Sequence, residues 1–357
     1  LIHILFDDEK ANAMTDRTEM HQIPVIRLWD GREVPRLGLG CWAIGGPFFA
    51  GDTPLGYGTV DDAESIAAIH CAVDLGIRFF DTADVYGAGH SEEVLGQALE
   101  GRDEVVIATK LGNRFDPATK QYGGSIEEGD LRREVRSAVD ASRRRLRRDR
   151  LDLVQLHLNT MAIDRAGEVF DVLDELRAAG TIGAYGWSTD YPERAAAHAG
   201  RDGFVAVQHG MNLFFDAPSV SGVAERHGLI SINRSPLAMG LLTGKFAAGQ
   251  ALPVGDVRAN TFDWMDYFKD GRVVPGFAEK LERIRHLLSV DGRSPAQGAL
   301  AWLWAKSPRT LPIPGFRSVA QVRENVGALE KGPLPAEAMA EIERLIDRPP
   351  EGAARER

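Results

Sequence analysis

The sequence predicts an α/β fold: a (β/α)8 TIM barrel with a short N-terminal β-hairpin and a long loop after strand 7. Three observations predict it. From residue 37 onward, short apolar runs alternate eight times with amphipathic helical stretches. The runs are continuously apolar, as expected of parallel strands covered on both faces. No GxGxxG fingerprint follows the first run, where a doubly wound nucleotide-binding sheet would carry one, since "GLGCWAIGG" does not match.

The elements follow in order. "IRLWDGREVPRLGL" carries an Asp30-Gly31 turn between two extended runs and predicts the hairpin. The strand candidates of the first half are "LGLGC" (37–41), "IRFFDTA" (77–83), "EVVIATK" (104–110) and "LDLVQLH" (151–157). The second half supplies "TIGAYGWS" (181–188), "FVAVQHG" (204–210), "LISINRS" (229–235) and "RTLPIPG" (309–315). Helices are predicted over 61–75, 91–100, 127–147, 164–179, 216–227, 294–305 and 318–329. Ser91, with Glu92 and Glu93 in the first turn, and Ser294-Pro295 read as helix starts. Residues 236–275 are too long for a simple connection and read as a functional loop.

Composition narrows the function classes. Apolar residues are 44% and charged residues 26% of the chain, as in a soluble globular enzyme. A net charge of -10 argues against a nucleic-acid partner. The basic run Arg143 to Arg150 reads as the solvated face of a helix. Cys41 and Cys71 have no partner at ligand or CxxC spacing, so neither a disulfide framework nor a metal site is expected. No stretch approaches the roughly 20 apolar residues of a membrane span. The cytoplasm is the expected location. Residues 1–23 read as a tail outside the fold, with Met14 or Met20 as candidate starts, and residues 24–357 as the barrel domain.

Chemistry in such a barrel gathers where the strands end. Those ends carry Asp81, Lys110, His157, Ser188, Gln208, Arg234 and the turn that reaches Arg317. Any one could be a satisfied polar group; the succession points to a site. Adjacent parallel strands end about 5 Å apart, so Lys110 can pair with Asp81. Tyr86, five residues beyond Asp81, can fold back over them. An ammonium beside a phenol is expected to lower its pKa and make it a general acid. His157 could donate to a substrate oxygen or be a satisfied structural residue.

"FFDTADVYG", "VVIATK", "LDLVQLH", "GWSTD", "VQHGMNL", "RSPLAMGLLTGKF" and "PGFRSVAQVRENVGAL" together resemble the signature segments of the aldo-keto reductases, over about residues 24–347. The resemblance implies hydride transfer from NADPH to an aldehyde or ketone, with a small-molecule carbonyl as partner. It implies Asp81, Tyr86, Lys110 and His157 as the catalytic tetrad. For the nicotinamide carboxamide it implies Ser188 and Gln208, with Thr189 where the family usually has Asn. Gly40, Cys41 and Trp42 match the loop under the nicotinamide ribose. Ser235, Leu237, Gly240 and Lys245 match the segment over the pyrophosphate. Gly315, Phe316, Arg317, Gln321, Glu324 and Asn325 match the adenosine clamp. Arg317 suits a 2′-phosphate, and the helix starting near Ser318 offers N–H groups to an anion.

Arg234 stands where an aromatic ring commonly stacks on the nicotinamide. It could stack by its planar guanidinium, or turn outward to an acid of the 236–275 loop. Trp42, Val85, Tyr86 and His157 are expected to face substrate, with Phe48, Leu158, Trp264, Tyr267 and Phe268 as further candidates. Two other functions compete. A cofactor-sensing regulatory subunit would share this fold, and a Schiff-base lyase would use Lys110 as nucleophile. Asp81 beside Lys110 opposes the second, because it favours the ammonium.

Overall fold

The computed structural model describes residues 23–253 and 255–351, so the predicted tail lies outside the described residues except for Ile23. Eight parallel strands stand in sequence order. They are β1 (Leu39–Gly40), β2 (Phe79–Asp81), β3 (Val106–Leu111), β4 (Leu151–Leu156), β5 (Ile182–Ser188), β6 (Phe204–Gly210), β7 (Ile230–Arg234) and β8 (Thr310–Pro312). The ring closes where Gly38 N donates to Pro312 O and Gly40 N to Pro314 O, each at 3.0 Å. Gly40 permits that closure, because a Cβ there would stand 2.8 Å from Ile313 O.

Side chains inside the barrel recur every second residue, as the pleat requires. Phe79, Val106, Ala108, Leu153, Ala184, Ala206, Ile230, Ile232 and Leu311 form this inner core. The predicted hairpin, Val25–Arg27 against Glu33–Pro35, plugs its lower end with Ile26, Leu28 and Val34. Arg32 ties the hairpin to β4 through Asp152 at 2.7 Å, and Asp152 also accepts from Ile107 N at 3.0 Å. The opposite end is left open for polar groups.

Helices cover the outside. They include α1 (Asp62–Asp74), α2 (His90–Ala98), α3 (Leu131–Leu146), α4 (Ile163–Ala178), α5 (Pro192–His198) and α6 (Pro218–His227). The chain continues with α7 (Pro275–Leu288), α8 (Pro295–Lys306), α9 (Val319–Gly327) and α10 (Ala336–Leu345). α8 begins with the expected cap: the Ser294 hydroxyl accepts from Gln297 N at 3.2 Å, and the Gln297 side chain accepts in return from Ser294 N at 3.1 Å.

Three expectations are corrected. Ser91 is not a cap: α2 begins after Gly89, and the Ser91 hydroxyl is buried, donating to Cys41 O at 2.8 Å. Helix α3 begins at Leu131 rather than 127, because Asp130 is extended and caps it, its carboxyl accepting from Arg133 N at 3.3 Å; ahead of it residues 113–125 fold into a polar hairpin that joins a second hairpin at 49–54 in a four-stranded sheet. The basic run is not merely solvated. Arg145 turns inward to Glu92 at 2.7 Å, while Arg147 meets Glu100 at 2.6 Å and Arg148 meets Asp103 at 3.2 Å.

Candidate active site

The alternation that fills the barrel also builds the site. Two residues beyond Phe79 stands Asp81; beyond Ala108, Lys110; beyond Leu153, Gln155 and then His157; beyond Ala206, Gln208; beyond Ile232, Arg234. Each inward row therefore changes from apolar to polar at the mouth.

Lys110 and Asp81 meet at 2.5 Å, with side chains 1% and 3% exposed. Lys110 Nζ also donates to Thr82 O at 2.7 Å and to the Tyr86 hydroxyl at 3.2 Å. Asp81 accepts further from Gln208 Nε2 at 2.7 Å and Gln155 Nε2 at 3.2 Å. Lys110, Gln208 and Gln155 all donate to the Asp81 carboxyl, which suits its ionised form. Burial favours the neutral amine at Lys110, but Asp81 and Tyr86 outweigh it and hold the ammonium above its ordinary pKa. That setting denies Lys110 the free amine a Schiff-base lyase needs.

Tyr86 arrives from the loop after β2. Asp84 N bonds to Lys110 O at 3.1 Å and Tyr86 N to Ala83 O at 3.2 Å, which turns the chain back over the mouth. Trp42 stacks on the Tyr86 ring at 5.8 Å, and His157 meets it edge-on at 5.8 Å. The expected fall in the Tyr86 pKa is corrected: burial pushes the phenol up, and Lys110 only opposes that rise. His157 is held neutral, well below the ordinary imidazole range, first by burial and then by Lys110 and Arg234.

Two adjoining cavities open at this end. The first is lined by Gly40, Cys41, Trp42, Asp81, Tyr86, Gln208, Arg234, Ser235, Leu237, Gly240 and Lys245, and runs on to Gly315, Phe316, Arg317, Gln321, Glu324 and Asn325. The second is lined by His157, Leu158, Ser188, Arg234, Trp264 and Tyr267 among others. Arg234, Ser235 and Met239 border both. Thr189 lines neither cavity and donates its hydroxyl to Asn159 O at 2.9 Å. Val85 and Phe48 pack together in a small buried cluster and Phe268 is buried, so none of the three borders the cavities.

Arg234 pairs with an acid, but not one of the 236–275 loop. Its partner is Asp190, before α5, at 2.5 Å, and Asp190 also accepts from Gly210 N at 2.8 Å. Arg317 donates to the backbone oxygens of Tyr57, at 3.2 Å, and Thr59. The N-terminus of α9 is not left free: Gln321 N bonds the Ser318 hydroxyl at 3.3 Å, and Val319 N bonds Glu64 Oε1 at 3.2 Å.

Sequence reasoning missed Gln155, Tyr57 and Arg258. Gln155 sits two residues before His157, so its strand parity could have found it. Tyr57 comes from an irregular loop and Arg258 from a three-residue 3-10 turn (Val257–Ala259), neither with a periodic signal. Arg258 is paired with Asp256 at 2.6 Å and donates to Met239 O at 3.0 Å, beside residues of positive φ (Ala238, Met239 and Gly240). No group of side chains suited to holding a metal occurs among the described residues, and none of their helices is long and apolar enough to cross a membrane.

The profile described as Aldo/keto reductase family matches residues 36–347. The chain belongs to the aldo/keto reductase family. Among its relatives is an aldo-keto reductase of Schizosaccharomyces pombe whose name specifies NADP(+), 27% identical, with 83% of this chain and 84% of that protein covered. The holo form of an aldo-keto reductase from Bacillus halodurans superposes with a TM-score of 0.72 at 26% identity, covering 94% and 100% of the two chains. A Klebsiella pneumoniae aldo/keto reductase in complex with NADP and acetate gives a TM-score of 0.67 at 25% identity, covering 93% and 98%. Membership makes this protein an oxidoreductase.

Proposed function

We propose that the protein reduces an aldehyde or ketone with NADPH, using Tyr86 as the proton donor. The observation that carries the reading is the contact of the buried Lys110 ammonium with both Asp81 and the Tyr86 hydroxyl. The first cavity suits an anionic dinucleotide. Lys245 borders it with Arg258 and Arg317, so three cationic side chains line one cavity. Such a cluster fits a phosphate-bearing ligand. Lys245 would meet the pyrophosphate and Arg317 the 2′-phosphate, while Ser188 and Gln208 would hold the carboxamide.

Bound NADPH supplies the hydride. The protein's own residues do the rest. Tyr86 presents a neutral phenol, because burial keeps its proton on. As that proton leaves, the phenolate gains what the neutral phenol lacks, the full attraction of the Lys110 ammonium 3.2 Å away. Asp81 holds Lys110 charged and in place for that moment. Trp42 and Trp264, 6.5 Å apart between ring centroids, narrow the mouth and limit water. Arg234 would lie against the nicotinamide with its charge largely balanced by Asp190.

Tyr86→Phe removes the proton and leaves the ring packing. Carbonyl reduction should fall by at least ~100-fold, while NADPH binding, followed by quenching of protein fluorescence, changes little. Near-normal turnover of the variant, with hydride transfer shown to be rate-limiting, would refute Tyr86 as donor.

A further inference from the structure

Beyond β3 the chain turns at Gly112, whose φ is 136° and where a Cβ would stand 2.9 Å from Leu158 Cγ. That turn opens the polar hairpin and delivers its first residue, Asn113, to the exit of the neighbouring strand β4. There Asn113 Nδ2 lies 3.4 Å from His157 Nδ1. The other end of the amide faces away, its oxygen accepting from the Tyr122 hydroxyl at 3.5 Å. Ser125, across the hairpin, registers the backbone of Asn113.

A neutral imidazole has one N–H and one lone pair. His157 is neutral, since burial, Lys110 and Arg234 all oppose its charge. The Asn113 amide nitrogen only donates. With the amide oriented by the Tyr122 hydroxyl on its oxygen, the ring nitrogen facing its NH2 group carries the lone pair, which leaves the proton on Nε2. We propose that Asn113 is a positioning residue that fixes His157 in the Nε2–H tautomer, so that the ring donates to the oxygen of the substrate carbonyl. The opposite tautomer would turn a lone pair toward that oxygen. The functional half of this inference rests on the carbonyl-reduction reading above. Nothing in the strand pattern or the tetrad itself specifies which ring nitrogen holds the proton.

The test is ring-nitrogen NMR on protein labelled with 15N-histidine, with His157→Gln identifying the signals of His157. Wild type should show a protonated Nε2 and an unprotonated Nδ1 at neutral pH. Asn113→Asp sets an acceptor against Nδ1, while burial, Lys110 and Arg234 still oppose a second proton on the ring. The variant should move the proton onto Nδ1 and lower kcat about 10- to 100-fold, the scale of a lost donor or its support. NADPH binding should stay within about twofold, which also shows that the fold survives. Asn113→Leu, which offers neither donor nor acceptor, should mix the tautomers and cost less. A wild-type spectrum with the proton on Nδ1 would overturn the assignment, as would an Asn113→Asp spectrum identical to wild type. The spectrum is read without turnover, so it judges Asn113 even if the protein reduces no carbonyl.

Discussion

The two ends of the first cavity are built on opposite electrostatic plans. At the inner end Lys110 and Asp81 are sealed from water, and each is bonded to several partners. At the outer end Arg317 and Gln321 lie exposed, and Glu64 reaches in from α1. Charges act strongly where solvent is excluded and weakly where it is not. The inner end can therefore stabilise a charge that exists only during reaction. The outer end can only hold a ligand that is charged throughout. One end suits chemistry and the other retention.

The sharpest way to break this contrast is to remove one buried charge. Lys110→Met leaves the Asp81 carboxylate buried with only two amides for support. Breaking such a pair costs about 3–5 kcal/mol of folding stability. Chemical denaturation at neutral pH should show a loss of that size, with little change in the slope of unfolding free energy against denaturant. A loss under about 1 kcal/mol would mean that water reaches the pair, and the inner end would then differ little from the rim.

The inner end is also the more legible in the sequence. Asp81, Lys110, His157, Gln208 and Arg234 each end an apolar run, and a strand period of two is enough to place them on the inward face. Position is thus readable from pattern. Protonation is not, because it depends on burial: Lys110 alone would lower the Tyr86 pKa, yet enclosure by Trp42 and His157 raises it. The partner of Arg234 is equally unreadable. Asp190 is 44 residues away in sequence, and only the adjacency of β5 and β6 brings it near β7. The polar hairpin at 113–125 lacks alternating hydrophobicity, so neither it nor Asn113 gives a periodic signal.

At the outer end a middle-sized effect is expected. Arg317→Ala should weaken NADPH about tenfold, the low end for a charge-assisted contact because the guanidinium is exposed. NADH, without the 2′-phosphate, should be nearly unaffected. Fluorescence titration with both cofactors separates two roles. An equal loss for both would mean that Arg317 acts by holding the backbone at Tyr57 and Thr59 rather than by meeting phosphate.

The smallest effect probes the acid at the rim. Glu64 accepts from Val319 N, at the start of α9, and so occupies a donor that a 2′-phosphate beside Arg317 would otherwise meet. Its negative charge also sits at the positive end of the helix, where the proposed reading would place the 2′-phosphate. Glu64→Gln keeps an oxygen acceptor and removes the charge. On the usual scale for a charge at a helix terminus, roughly 0.3–1 kcal/mol, the Kd for NADPH should fall about two- to fivefold relative to that for NADH. The same charge helps to stabilise α9, so a few tenths of a kcal/mol of stability should be lost in the variant. Salt offers the internal control: near 1 M ionic strength the screening length is about 3 Å, and the cofactor preference of the variant should converge on that of wild type. A preference unchanged at low salt would show that Glu64 belongs to the packing of α1 against α9 and takes no part in choosing the cofactor.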